Sequence, residues 1–311
     1  MIISASRRTD IPAFYSDWFY NRIKEGYVLV RNPFNLHHVS KVPLSLEVVD
    51  CFVFWTKNPE RMMQNLHIID GYPYYFQFTL NPYNAEIEVN VPRKAKIIDT
   101  FKRLSDKIGP KRIIWRYDPI IITNNIDEGY HYKYFELLAS KLHDYTSKCV
   151  ISFVDFYLKA QRNLKKIGAY DINDKDKIRI ATRLGEIAKL YSLKIETCAE
   201  NIDLSEFGIE HSKCIDPDLI ESLLGGKLKV EKDKNQRKAC GCVASVDIGA
   251  YNTCTHGCLY CYANYSSNVV NDNITRYDVN SPLLCSCITD EDVITEKNAM
   301  SCAFLQKSLF D

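Results

Sequence analysis

Two things are missing from this chain, an excess of either charge and any long apolar run, and each absence excludes a class of function. Its 40 Lys and Arg residues are matched by 39 Asp and Glu, a formal net charge of +1. It therefore lacks the basic footprint of a protein that grips nucleic acid mainly through phosphates, although a local basic patch stays open. No stretch of about 18 apolar residues occurs, and the opening MIISASRRTD has no charged start leading into an apolar segment. Neither a membrane span nor a signal peptide is expected, which points to a cytoplasmic protein. Low-complexity sequence is also missing, and the charged stretch Lys229–Lys238 reads as a solvated loop. Cysteine, by contrast, is plentiful, with twelve in 311 residues. In a reducing compartment these are not structural disulfides, so the clustered ones point to metal or redox work. Cys51 and Cys149 stand alone in apolar runs and read as small core residues.

Apolar, β-branched and aromatic runs alternate with helical patterns, the signature of parallel strands joined by crossover helices. Strands are expected to begin near Ile2, Tyr27, Cys51, Tyr74, Arg112, Cys149, Lys194 and Ala244, with helices at about 13–25, 59–67, 93–107, 129–145, 173–190 and 216–224. The expected fold class is α/β, a (β/α)8 or partial TIM-like barrel. Many of these strands end in polar residues: Ser6 to Asp10, Arg31, Lys57, Asn81, Arg116 with Asp118, and Glu200. In a barrel such positions converge at one mouth, where active sites of that architecture lie. Arg116, Asp118 and Glu200 are the candidate catalytic groups, with Arg31, Lys57 and Asp155 as further rim candidates. A guanidinium suits bidentate recognition of a carboxylate or phosphate, and a carboxylate suits a hydroxyl or amine. Asp118 and Asp155 are equally placed to cap the helices that follow them.

Near the C-terminus, Cys254, Cys258 and Cys261 have Cys-x3-Cys-x2-Cys spacing on a loop that follows a strand, with Tyr260 just before the last. Three closely spaced thiolates can ligate three irons of a 4Fe-4S cluster and leave the fourth without a protein ligand. These residues resemble the cysteine motif of the radical S-adenosylmethionine superfamily. The resemblance implies that the open iron binds S-adenosylmethionine (SAM), that reductive cleavage yields a 5′-deoxyadenosyl radical, and that Tyr260 packs near the adenine. The competing reading is a zinc knuckle or similar metal loop, whose ligands usually come in pairs. His256, inside the motif, reads as a loop residue with local hydrogen bonds, and His37 and His38 as surface or rim.

The stretches Ser4–Tyr15, Val28–Asn35, Val53–Pro59 and Cys240–Asn264 also resemble a bacterial family called domain of unknown function 1848, described as having a radical-enzyme-like cysteine cluster displaced to the C-terminus. That displacement implies a circularly permuted barrel, with 1–265 as one barrel that includes a cysteine-rich part at 198–261, followed by a C-terminal extension at 266–311. Ile2–Ser6 then takes the place of the superfamily's second strand, and Ser6, Arg7, Arg8 and Asp10 become candidate cofactor contacts. An ordinary capped strand-to-helix junction explains Arg7, Arg8 and Asp10 as well.

Four more cysteines, Cys198, Cys214, Cys240 and Cys242, precede the triplet. They fit a second 4Fe-4S cluster, the favoured reading, or a tetrahedral zinc site. Cys285, Cys287 and Cys302 stay unassigned. The expected function is a radical SAM enzyme of unknown reaction class, acting on an unidentified small or macromolecular substrate and reduced by a ferredoxin or flavodoxin. Two alternatives remain: a zinc- or iron–sulfur-stabilised binding or redox-sensing protein, and a DNA-lesion repair enzyme similar to spore photoproduct lyase, which would need a basic face beside its mouth.

Overall fold

A computed structural model describes residues 1–304. Its centre is a parallel sheet in the order Val246–Asp247, Ile2–Ala5, Cys51–Thr56, Tyr74–Thr79, Ile113–Ile120, Lys148–Phe153, Lys194–Thr197 and Glu210–His211. The α/β class holds and the sheet has eight strands, but it is not a closed barrel, because the strands at its two edges do not pair with each other. Both edge strands are two residues long, too short to form the ladder that closure requires.

The expected strand at Tyr27 lies elsewhere. Gly26, at φ +76°, ends the helix Ser16–Glu25 in the left-handed region. The chain then enters Tyr27–Arg31, which pairs antiparallel with His38–Pro43. A connection this short yields an antiparallel pair, whereas a parallel neighbour needs a crossover. Val293–Glu296 of the C-terminal extension joins this second sheet. The extension is also fastened by Trp18, which donates to the Ser281 carbonyl, and by Arg22, which donates to that of Asn280 (both 2.8 Å).

Strand periodicity divides the main sheet into two faces. Phe52, Phe54, Phe76, Phe78 and Trp115 are buried in the main core with helix residues such as Phe19, Phe101, Phe135 and Leu184. Full burial of each such side chain contributes about 1.5–3 kcal/mol. The alternate residues Ile2, Cys51, Val53, Tyr75, Ile114 and Val150 form a second core with Ile215, Ile220, Cys214 and Cys242. The cysteine-rich segment thus covers the face that a barrel would turn toward its lumen. The Tyr75 hydroxyl (2.7 Å) and the Gln77 amide (2.9 Å) donate to the Cys214 carbonyl and lock it there. Among the described residues, no helix is long and apolar enough to cross a membrane.

Candidate functional site

All the main strands run in one direction, so their C-terminal ends share one edge of the sheet. The two strands nearest the cysteine triplet are tied there by Asp247. Its carboxylate accepts from the Ser4 and Ser6 hydroxyls (2.6 Å each), the Arg7 N–H (2.8 Å) and the Gly249 N–H (3.0 Å). The Arg8 N–H donates to the Ser6 Oγ at 2.9 Å, and its guanidinium lies over the Tyr251 ring. Asp247 was not among the sequence candidates; its only signal was an acidic residue in an otherwise apolar strand.

The loop that follows is fixed at both ends. Asn252 donates from its backbone to the Ala263 carbonyl (3.0 Å), and the Asn264 amide donates to that of Cys254 (2.7 Å). Asn90 holds the middle, its N–H donating to the His256 carbonyl (2.9 Å) and its side chain to that of Thr255 (2.8 Å). Gly257 sits at φ +66°, where an L side chain would be strained and its Cβ would crowd Val89 and Asn90 at 3.3 Å. Burial pushes the Cys254, Cys258 and Cys261 thiols upward, Cys258 to about 12, and the charges of Cys258 and Cys261 raise Cys254 further.

Next to Cys258 lies a buried polar network. The Lys57 ammonium donates to Glu88 and to the Tyr260 hydroxyl, each at 2.7 Å; Lys94 and Tyr260 also bond to Glu88, and Asn81 donates to the Tyr260 hydroxyl at 3.3 Å. Burial raises the Glu88 carboxyl, but Lys57 and Lys94 outweigh it and hold it at about 2. Glu88, Lys94 and Asn81 complete this network, and none carried a motif that would have singled it out as a partner of Tyr260.

Asp10 is placed as a structural junction. It accepts from the Ala13 N–H (3.0 Å) as a helix cap, from the Lys57 N–H (2.7 Å), and pairs with His256 Nε2 at 2.8 Å. Asp10 is thus engaged by three internal partners, and the His256 side chain bonds across the fold instead of within its loop.

Arg116 occupies the second core. Its guanidinium forms a two-nitrogen bond with Asp118 Oδ2, and Nη1 reaches Gln77 Oε1 (3.3 Å) and the Cys214 sulfur (2.9 Å). Asp118 also accepts from Ser152, and the next helix is capped by Asp127, so Asp118 does not act as the helix cap. Cys198 and Cys214 have their sulfurs 3.4 Å apart, and the Ile215 N–H donates to the Cys242 sulfur at 3.4 Å. Among the described residues, no three His, Cys, Asp or Glu groups are already gathered as a metal-holding set.

Other candidates are scattered. Arg31 lies in the second sheet, paired with Asp292 and away from the shared edge. Asp155 is exposed and pairs with Arg237 at 2.8 Å. Glu200 accepts from the Phe153 N–H at 2.8 Å, and burial raises its carboxyl. His37 is exposed beside Glu291, Cys285 is buried, Cys287 is exposed, and the Cys302 N–H donates to Asp50 at 2.8 Å. A concavity lined by Pro110, Thr146, Ser147 and Ser192 opens at the opposite ends of the strands and includes none of these candidates.

Residues 2–263 match the family described as Domain of unknown function (DUF1848). The chain belongs to the DUF1848 family. The DUF1848 match takes in the Asp247 junction and all three loop cysteines and stops before the C-terminal extension. No curated protein matches this DUF1848 member.

Proposed function

We propose that this protein is a radical SAM enzyme in which Cys254, Cys258 and Cys261 hold a 4Fe-4S cluster. The observation that carries this reading is three half-buried thiols on one tightly fastened loop at the C-terminal edge of a parallel sheet. The residues fit such a group. Three thiolates on one loop can each ligate a different iron of such a cluster and leave the fourth open. Buried thiols stay neutral until cations balance them, and iron provides that balance. His256 Nδ1 and Asn264 Oδ1 are buried without a partner beside the cysteines, and polar atoms left this way mark a place for a ligand.

When bound, the cluster would supply the electron that cleaves SAM reductively. The chain's own part is positioning. Asp247 joins the cysteine loop to Ser6–Arg8, and the Arg8 guanidinium lies at the loop's edge over Tyr251. Lys57, neutralised by Glu88, orients Tyr260 and sets a positive charge near Cys258. Arg116, Asp118 and Glu200 are the proposed substrate-orienting groups, and a ferredoxin or flavodoxin is the proposed electron donor.

Anaerobic reconstitution with iron and sulfide, followed by SAM and dithionite, tests this. Iron-loaded protein is expected to form 5′-deoxyadenosine, and Cys254→Ala, Cys258→Ala and Cys261→Ala each to abolish it. Iron-loaded protein that forms none would overturn the proposal, and zinc retained at the loop after anaerobic purification would favour a metal-stabilised binding protein.

A further inference from the structure

Cys198, Cys214, Cys240 and Cys242 are arranged differently from the triplet. Cys198 follows the strand Lys194–Thr197, Cys214 precedes the helix Pro217–Leu224, and Cys240 and Cys242 precede the strand Val246–Asp247, yet the last three are buried in one core on which Cys198 packs, with the Cys198 and Cys214 sulfurs in contact. The Cys198 and Cys214 sulfurs lie 3.4 Å apart. Thiolates at about 2.3 Å from one tetrahedral ion lie about 3.7 Å apart, whereas ligands on separate irons of a cluster lie well beyond contact. This spacing argues for one ion where composition had favoured a second cluster.

Charge supports the same reading. A divalent ion with four thiolates carries two surplus negative charges. Arg116 donates directly to Cys214 at 2.9 Å, and Arg7, stacked on Trp55 and 3.9 Å from Asp233, keeps a buried Nη2 without a partner. The Ile215 N–H donates to the Cys242 sulfur at 3.4 Å, a bond typical of metal thiolates. We propose that Cys198, Cys214, Cys240 and Cys242 bind a single thiophilic divalent ion of the zinc type, with Arg116 and Arg7 balancing its charge, and that this ion pins the cysteine-rich segment to the sheet. The four side chains are not gathered around one point in this structure, so the proposal requires that the ion draw them together.

This proposal does not depend on SAM chemistry, and it can be tested in full-length protein carrying Cys254→Ala, Cys258→Ala and Cys261→Ala together. That variant is expected to retain zinc in about equal molar amount with the chain, with X-ray absorption showing four sulfur ligands at about 2.3 Å. Cobalt(II) added to the chelator-stripped variant is expected to give the intense visible bands of a tetrahedral thiolate site. Adding Cys214→Ser and Cys242→Ser should abolish both signals. Should that variant fail to fold, the absorption spectrum of the parent variant still decides. Iron with sulfide bound at these residues, or no metal bound at all, would overturn the proposal.

Discussion

Gly249 lies against Ser6 so closely that a Cβ on it would fall 2.5 Å from the Ser6 Cβ and nearer still to its Oγ. Ser6 cannot easily yield, because its hydroxyl both donates to Asp247 and accepts from the Arg8 N–H. Gly249→Ala should therefore wedge the cysteine loop away from the strand Ile2–Ala5, at a cost of about 1–3 kcal/mol. Chemical denaturation would show a lowered midpoint, and Ser6→Gly in the same chain should restore part of it by removing the colliding Cβ. A midpoint unchanged by Gly249→Ala would show that the junction is looser than this contact implies.

The two ends of this junction differed in how readable they were. Ser6 stood out because it closes an apolar run, and the cysteines because their spacing is itself a chemical pattern. Gly249 and Asp247 had no such mark, since their roles arise only when the last strand pairs beside the first. Most crossover helices and all eight expected strands were legible from periodicity, seven of them in the main sheet, but the open edge was not. Periodicity tells a buried strand from a helix without naming its neighbour, so Tyr27–Arg31 read like a sheet strand while pairing antiparallel with His38–Pro43. The proximity of Arg116 to Cys214 was equally invisible, because 98 residues separate them.

Glu88 is the shared counter-ion of two lysines, and its removal leaves the half-buried Lys57 and Lys94 facing each other without it. Its carboxyl is held at about 2 against an ordinary 4.5, a difference worth about 3 kcal/mol in favour of the folded state. For a lowered carboxyl, that stability is complete above pH about 4.5 and drains away as pH falls toward 2. Glu88→Gln should thus be strongly destabilised at neutral pH, with the gap from the parent narrowing through this window. Parallel curves for the two proteins across it would remove Glu88 from this role.

His131 governs a separate, higher window. It is buried between the Tyr117 hydroxyl (2.8 Å) and the Ile121 carbonyl (2.9 Å), and burial lowers it from 6.5 to about 4 despite the opposing carbonyl bond. The folded state resists a proton that the unfolded chain accepts, so the contribution is complete above pH 6.5 and is lost as pH falls toward 4. His131→Gln should lower stability at pH 7 and flatten the pH dependence between those values by up to about 1.4 kcal/mol per pH unit. Urea denaturation at several pH values reads the slope directly, and an unchanged slope would place the titration elsewhere.

Tyr260 separates what its ring does from what its hydroxyl does. The hydroxyl is engaged by Lys57, Glu88 and Asn81, while the ring packs edge-on to Tyr83 at 6.1 Å. Under the proposed function, the ring is the surface that meets the SAM adenine. Tyr260→Phe keeps that surface and gives up hydrogen bonds worth about 1–3 kcal/mol, so thermal stability should fall while the KM for SAM stays within about twofold. Tyr260→Ala removes the surface as well, and loss of an aromatic contact worth about 0.5–1.5 kcal/mol beyond its buried area should raise that KM several-fold to tenfold. Equal KM values in the two variants would show that the ring does not touch the cofactor and that Tyr260 serves only to hold Lys57 and Glu88 in place.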